Sequence, residues 1–569
     1  MEKLQSDYYY CDFLFQDASF VNVLTREIYE CDVAVIGELI VGFDYDDHRR
    51  RARRVINAKN KFLSPGLIDG HIHVDSSLVT MDQFSRMALM HGTTSIITDF
   101  HEVAYTLGFR GVQQFLRSAE HLPLKFFYFV PYQVPGGAKV QTSAWDLGEK
   151  EVETALSWPQ TVGTGEVFSD EGDSVRKRGI EEALKSGKQI ISYLPKFYAD
   201  NDKLQQFVRM GVTCDIPETL DEAVERARLG IALLIREGLV SNLPDVIQIV
   251  TKLKNDSRRF MIISDDKTIP DMVDNGYLDA ALRKAVSFGV DPVEALQMVT
   301  INPAQFFGLK KIGSIQPGQI ADLILFKDLT NFEVELVMCN GEIVVENGRL
   351  LVEIPSCSFP DDFHKSIRAS KVTEQSLAFP NDSLSSSQKV LNFDARTYLT
   401  TLVTAQNVDG HLPAPERGYL ALFIVERYNY TGRISKSIVS GIGLTKGAFA
   451  SSYAHDHHNI FCVATNIRDA CVSMNSVIDS QGGISYAIDG KVVEFLRLPI
   501  GGIISDEKAE TVYSHLKSMD QRLRENGCRM SMAPLVVSYF LVPHLVPQYG
   551  VTDYGIVSSK DQSVIQSYA

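Results

Sequence analysis

Leu63-Ser64-Pro65-Gly66-Leu67-Ile68-Asp69-Gly70-His71-Ile72-His73-Val74-Asp75-Ser76-Ser77 is the stretch from which the fold reads. Pro65 and Gly66 mark a turn leading into a short apolar run. The run ends in a His-x-His pair. Residues two apart in a strand share a face, so His71 and His73 stand side by side. Two neutral imidazoles on one rigid strand suit a divalent transition metal. On the pair alone, two hydrogen-bonded histidines at a strand end is the commoner reading, and the surrounding residues tip it toward metal.

The wider context Pro65-Gly66-Leu67-Ile68-Asp69-Gly70-His71-Ile72-His73 resembles the amidohydrolase superfamily. Those proteins are metal-dependent hydrolases on a (β/α)8 barrel whose first strand ends in His-x-His. Three segments narrow the resemblance to the adenine deaminase family: Asp75-Ser76-Ser77, His91-Gly92-Thr93-Thr94 and Asp99-Phe100-His101-Glu102-Val103-Ala104. That family shows Glu-Ser-Ser, Gly-Thr-Thr and Asp-Pro-His-Glu at these places. Ala454-His455-Asp456-His457-His458-Asn459, Gln481-Gly482-Gly483 and Leu498-Pro499-Ile500-Gly501-Gly502 are similar to the same family's C-terminal domain.

The chain has 569 residues, enough for two or three domains. Hydrophobic residues make up 45% and charged residues 22%, the balance of an ordinary globular protein. The net charge of −15 argues against nucleic acid or anionic membrane as partners. The run His48-Arg49-Arg50-Arg51-Ala52-Arg53-Arg54 is basic, but a solvated edge strand or turn accounts for it better than a phosphate site. Eight cysteines without a Cys-x-x-Cys pair fit reduced thiols in a cytoplasmic protein. The N-terminus lacks a basic segment followed by an apolar core, so no signal peptide is read. The longest apolar stretch, Pro534 to Val546, is too short for a membrane span.

Between residues 63 and 311 strands alternate with helices, as in parallel βαβ units. A closed barrel fits, and its chemistry belongs at the C-terminal ends of the strands. Glu218–Ile235 reads as a long helix, and Gly111–His121 as another. Residues 1–62 and 312–353 read as a small composite β-domain. Residues 354–390 read as a linker, with a Ser383–Ser387 tract. Residues 391–569 read as an α/β C-terminal domain of adenine deaminase type. Gly441-Ile442-Gly443 reads as a tight turn, because a phosphate loop's fingerprint is incomplete there.

The resemblance implies a site. It places a glutamate of the fourth strand on the metal, and Glu166 matches. It places an aspartate at the end of the eighth strand, which binds metal and moves protons, and Asp265 matches. Asp266 fits a helix N-cap. Histidines are expected at the ends of the fifth and sixth strands, but this chain has Tyr193 and Asp215 there. Indeed no histidine occurs between His121 and His364. A phenol is a weak ligand until it ionises near about pH 10. A carboxylate such as Asp215 biases a site toward harder ions such as manganese. His71, His73, Glu166 and Asp265 are therefore the expected ligands of a divalent metal, manganese first, iron or zinc next. Whether one or two ions bind stays open. Asp99, His101, Tyr193, Asp215, His455 and His458 are additional candidates.

The implied reaction is hydrolytic deamination of adenine to hypoxanthine and ammonia, a step of purine salvage. Asp265 moves protons and Glu102 protonates the ring nitrogen. Two alternatives stand beside it. One is a related amidohydrolase acting on another amino-heterocycle or cyclic amide. The other is a catalytically impaired relative that binds a purine. The expected partner is a small molecule, with a homodimer as the default assembly.

Overall fold

The computed structural model describes residues 10–44, 51–131, 134, 139–145, 147–167, 174–194, 200–379, 387–394, 399–406, 413–543 and 548–566. His48–Arg50 of the basic run, Pro195 and Ser383–Ser386 lie outside the described residues.

Eight parallel strands form the central sheet: β1 (Leu67–Ile72), β2 (Thr93–Thr98), β3 (Lys125–Val130), β4 (Thr161–Val167), β5 (Gln189–Ser192), β6 (Cys214–Asp215), β7 (Ala232–Arg236) and β8 (Phe260–Ile263). They lie side by side in sequence order. The ring closes between its first and last members. Asp265 N–H donates to His71 O and His73 N–H donates to Asp265 O, both at 3.0 Å. Closure thus brings the His-x-His pair beside the residue that follows β8. The β1–β2 pairing shifts register between Asp69 and Ile72, which re-aims the side chains of this strand end.

The strands are nearly continuous apolar runs, as strands covered on both faces must be. Ile68, Ile97, Phe129, Ile191, Leu234, Met261 and Ile263 fill the interior, together with Ala304 and Phe307 from the chain after β8. Each such side chain contributes about 1.5–3 kcal/mol when taken fully out of water. Ile96, Ile190, Leu233, Ile235 and Ile262 pack outward in a different cluster, which includes Phe115, Leu204 and Ala223 of the surrounding helices.

The reading of Glu218–Ile235 as one helix is corrected. The helix spans Leu220–Arg228, and Ala232–Arg236 is β7. Gly230, at φ +80°, turns the chain between them in a conformation that glycine adopts without steric cost. The helix expected from Gly111 begins at His101 and runs to Ala119, with a break at Gly108, whose φ is +64°.

A nine-stranded sheet flanks the barrel. It joins chain from both sides of the barrel segment: Phe62–Pro65 pairs antiparallel with Leu323–Phe326. That strand straddles the boundary drawn at residue 62. Phe15, Phe20, Val33, Leu63, Leu323 and Met338 form its core. The basic strand Arg51–Asn57 pairs with Tyr10–Asn22 in the same sheet. Beyond residue 354, Phe363, Ile367, Val372 and Leu377 are buried, so the segment read as a linker is packed over much of its described length.

The C-terminal part holds an eight-stranded sheet and a three-stranded one. The helix Ile467–Asp479 covers one face of the larger sheet through Ala470, Met474 and Val477. Two features of this part matter for the site. The loop after Ser451 carries Tyr453 to His458, and the helix Ala533–Phe540 brings Tyr539. No described helix is long and apolar enough to cross a membrane.

Candidate functional site

The C-terminal rim of the barrel gathers side chains from seven strand ends. His71 Nε2 lies 3.1 Å from Glu166 Oε1 and 3.9 Å from Asp265 Oδ1. His73 Nε2 lies 3.1 Å from the same Asp265 oxygen. All four residues are buried, and their donor atoms lie within 4.8 Å of one another. Asp265 holds its place in left-handed backbone, at φ +59°. Strain of this kind in a non-glycine residue persists where surrounding structure enforces it, often at functional sites.

Neither ring nitrogen of His71 makes a hydrogen bond, although the side chain is fully buried. An unsatisfied buried polar group costs about 1–3 kcal/mol. A cation shared by His71, His73, Glu166 and Asp265 removes that cost at His71 Nε2, and two imidazoles with two carboxylates match the preferences of first-row divalent metals. The residues fit the group.

Asp99 stands one step back. Its Oδ1 is 2.9 Å from His73 Nδ1 and 3.1 Å from His101 Nδ1. A carboxylate on the far nitrogen of a ligating histidine fixes its tautomer and orientation. Charges run high here. Burial lowers the His73 imidazole, but Asp99 and the bond to Asp265 outweigh it and raise it well above the ordinary value. Burial likewise lowers His101, yet Asp99 and Glu102 carry it up to about 9. Burial raises Asp99, while His101 and His73 hold it well below the usual carboxylate range. Asp265 is lowered too: burial opposes this, and His73 and Arg236 prevail.

Glu102 requires a correction. Its buried carboxylate binds His455 Nδ1 at 2.5 Å, Tyr453 OH at 3.1 Å and the Asp456 amide at 3.2 Å, besides His458 Nε2. Burial raises its pKa, but His458, His455 and His101 hold it well below the usual range. This carboxylate, with four hydrogen-bond partners, stands outside the cavity wall and away from a bound ring. It ties the barrel to the C-terminal loop instead. His101 Nε2 sits 3.7 Å from both Glu102 Oε2 and Asp456 Oδ1. His101, Glu102, His455 and Asp456 thus form a second compact donor group, next to the first. His458 is fully buried and spent on Glu102.

Asp215 is also corrected. It does not face the rim. Its Oδ1 accepts from Ser192 Oγ at 2.6 Å and its Oδ2 from Arg226 Nε at 2.6 Å. Strand alternation turns the next residue, Ile216, to the cavity instead. Tyr193 does line the cavity, but its hydroxyl donates to Glu218 Oε1 at 2.7 Å. Burial and Glu218 raise this phenol well above its usual pKa, so it is a neutral donor and a poor ligand.

The cavity encloses about 110 Å³, room for a small molecule and not for a polymer. His73, Asp99, His101, Glu166 and Asp265 form its floor, and His455, Asp456, Tyr539 and Phe540 its C-terminal wall. Arg236, Ile216, Leu239, Val240 and Asp266 complete it. Sequence reasoning missed Arg236 because its strand was read as helix. Tyr539 and Phe540 were hidden in an apolar run with no polar signal beyond one phenol.

Comparison with known proteins adds six findings. The Amidohydrolase family profile matches residues 62–177 and 171–344. The adenine deaminase C-terminal domain profile matches residues 398–563. "Adenine deaminase 1" of Carboxydothermus hydrogenoformans is 32% identical over 566 residues, covering 96% of this chain and 94% of the relative. The adenine deaminase of Archaeoglobus fulgidus is 32% identical, covering 98% and 96%. Among solved structures, that of an adenine deaminase covers 58% of this chain and 99% of its own, at 17% identity and a TM-score of 0.46. A β-aspartyl dipeptidase from Fervidobacterium islandicum covers 60% and 98%, also at 17% identity and a TM-score of 0.46.

Proposed function

On the premise that this chain belongs to the adenine deaminase family of amidohydrolases, we propose that it hydrolyses adenine to hypoxanthine and ammonia. The observation that carries the reading is the convergence of His71, His73, Glu166 and Asp265, with the last three lining a small cavity and His71 buried behind them.

These four residues hold a divalent ion, with manganese as our first choice and iron or zinc as alternatives. An ion held there acidifies water toward neutral pH and so supplies a nucleophile. The chain's own groups do the rest. Asp265, ionised by His73 and Arg236, accepts the water proton. The oxygen bonds to C6 of the ring, the exocyclic C–N bond breaks, and Asp265 returns the proton to the departing amine. The ring nitrogen takes its proton from a group on the cavity wall, where His455 and Asp266 stand and Glu102 does not, and that group recovers a proton from the C6 hydroxyl as the carbonyl forms. Asp99 keeps His73 in its ligating tautomer. Leu239, Val240, Tyr539 and Phe540 offer an apolar and aromatic wall to a planar base.

We also propose the division into residues 1–62 with 312–353, 63–311, 354–390 and 391–569, with Phe62–Pro65 pairing into the small β-sheet and 354–390 as a packed connection. A cytoplasmic homodimer serving purine salvage is our reading of its setting.

A second reading has one specific observation in its favour. Tyr193 and Ile216 bring no metal donor from the ends of β5 and β6, as suits an impaired relative that only binds a purine. One assay separates the two. Manganese-loaded protein is mixed with adenine and the ultraviolet spectrum followed. Conversion to the hypoxanthine spectrum, with ammonia released in equal amount, supports the deaminase. An unchanged spectrum with adenine bound supports the binder.

A further inference from the structure

The side of the rim beneath β5 to β7 differs in character from the four-donor side. At the end of β5, the Tyr193 hydroxyl is given to Glu218. After β6, the aliphatic Ile216 faces the cavity. From the end of β7, Arg236 reaches across. Its Nη1 donates to Asp265 Oδ2 at 3.0 Å and its Nη2 to Glu218 Oε1 at 2.7 Å. The side chain is largely buried, and its guanidinium carbon lies 5.8 Å from the Tyr193 ring centroid.

This divides the Asp265 carboxylate. Oδ1 faces the two histidines, while Oδ2 is held by the guanidinium. Two cations sharing this carboxylate need both sides of it. Here one side already carries a positive charge that cannot be lost by deprotonation. A second dication would meet that charge at close range. It would find a neutral phenol and an aliphatic side chain where donors are needed. Glu218, on the same side of the rim, is paired with the same arginine.

We infer that the Arg236 guanidinium is the second positive charge beside Asp265, and that the four-donor site holds one divalent ion rather than a pair bridged through Asp265. The inference rests on the metal reading given under the proposed function. Arg236 is a positioning residue for the ion, fixing which oxygen of Asp265 faces it.

The test is a crystal of manganese-loaded protein and its anomalous difference map, which locates ions independently of activity. One peak among His71, His73, Glu166 and Asp265, with none between Asp265, Tyr193 and Glu218, is expected. In Arg236→Met, Asp265 Oδ2 and Glu218 lose their counter-charge, and a second peak between them is expected. Arg236→Lys keeps the charge and keeps one peak. A second peak beside Arg236 in the unaltered protein overturns the inference. So does a single peak in Arg236→Met. No peak at the four donors in the unaltered protein overturns the metal reading itself, a different result from either. Should Arg236→Met not fold, manganese electron paramagnetic resonance on the unaltered protein decides. Isolated-ion spectra support the inference and an exchange-coupled pair sinks it.

Discussion

Glu102 Oε1 stands 2.5 Å from Nδ1 of His455, joining the barrel rim to a loop of the C-terminal sheet. The cavity wall contributed by His455, Asp456, Tyr539 and Phe540 depends on this contact. In one buried carboxylate, Glu102 collects two histidines, a phenol and a backbone amide.

Glu102→Ala should therefore act on fold and function together. Removing one partner of a buried charged network costs about 3–5 kcal/mol. We expect a drop in thermal midpoint, read by calorimetry, and a fall in adenine turnover larger than tenfold. A variant with unchanged midpoint and turnover would show that the network does not hold the wall.

Asp215→Ala separates structure from metal binding. Arg226 is fully buried and loses its shortest carboxylate contact, keeping only the longer ones to Glu222 and Glu225, so destabilisation of about 3 kcal/mol is expected by urea titration. Metal content of the folded protein should not change, because Asp215 faces away from the rim. Loss of metal without loss of stability would return Asp215 to the list of ligands.

The metal-free protein should lose stability as pH rises above neutrality. His101 is raised to about 9 in the fold, against an unfolded value of about 6.5. Its protonated form is favoured by folding. That stabilisation is complete below pH of about 6.5 and is gone once pH passes the folded value, a change on the order of 3 kcal/mol. Asp99 and Glu102, lowered in the fold, lose their contribution only as pH falls into the acid range, so they leave this window unaltered. A thermal midpoint falling between pH 6.5 and 9 in chelator-treated protein is expected. A flat or rising midpoint contradicts the charge assignment.

Metal uptake should release protons for the same reason. His73 is raised well above its usual value and must lose its proton to ligate. Calorimetric titration in buffers of different ionisation enthalpy measures the number released. Zero protons at pH 7 would mean that His73 is neutral beforehand or is not a ligand.

The barrel and four of its rim residues were legible because each rests on a local signal. His71 and His73 share one strand, Glu166 follows glycines at a strand end, and Asp265 closes an apolar run. What resisted reading depends on side-chain direction and distant contacts. Asp215 and Ile216 are neighbours, and only strand alternation decides which one faces the cavity. Glu102 looked like a free acid because its partners lie more than three hundred residues away, at His455 and His458. Arg236 was lost when Ala232–Ile235 was joined to the preceding helix. Its apolar residues suit either element, and Gly230 was the sole break.

The central claim is that four side chains share an ion. Metal content after manganese loading and dialysis, measured by mass spectrometry on the unaltered protein and on His71→Asn/His73→Asn, tests it most directly. The double variant should hold one equivalent less and lose adenine turnover by at least about a thousandfold. Equal metal content in the two proteins would contradict the account.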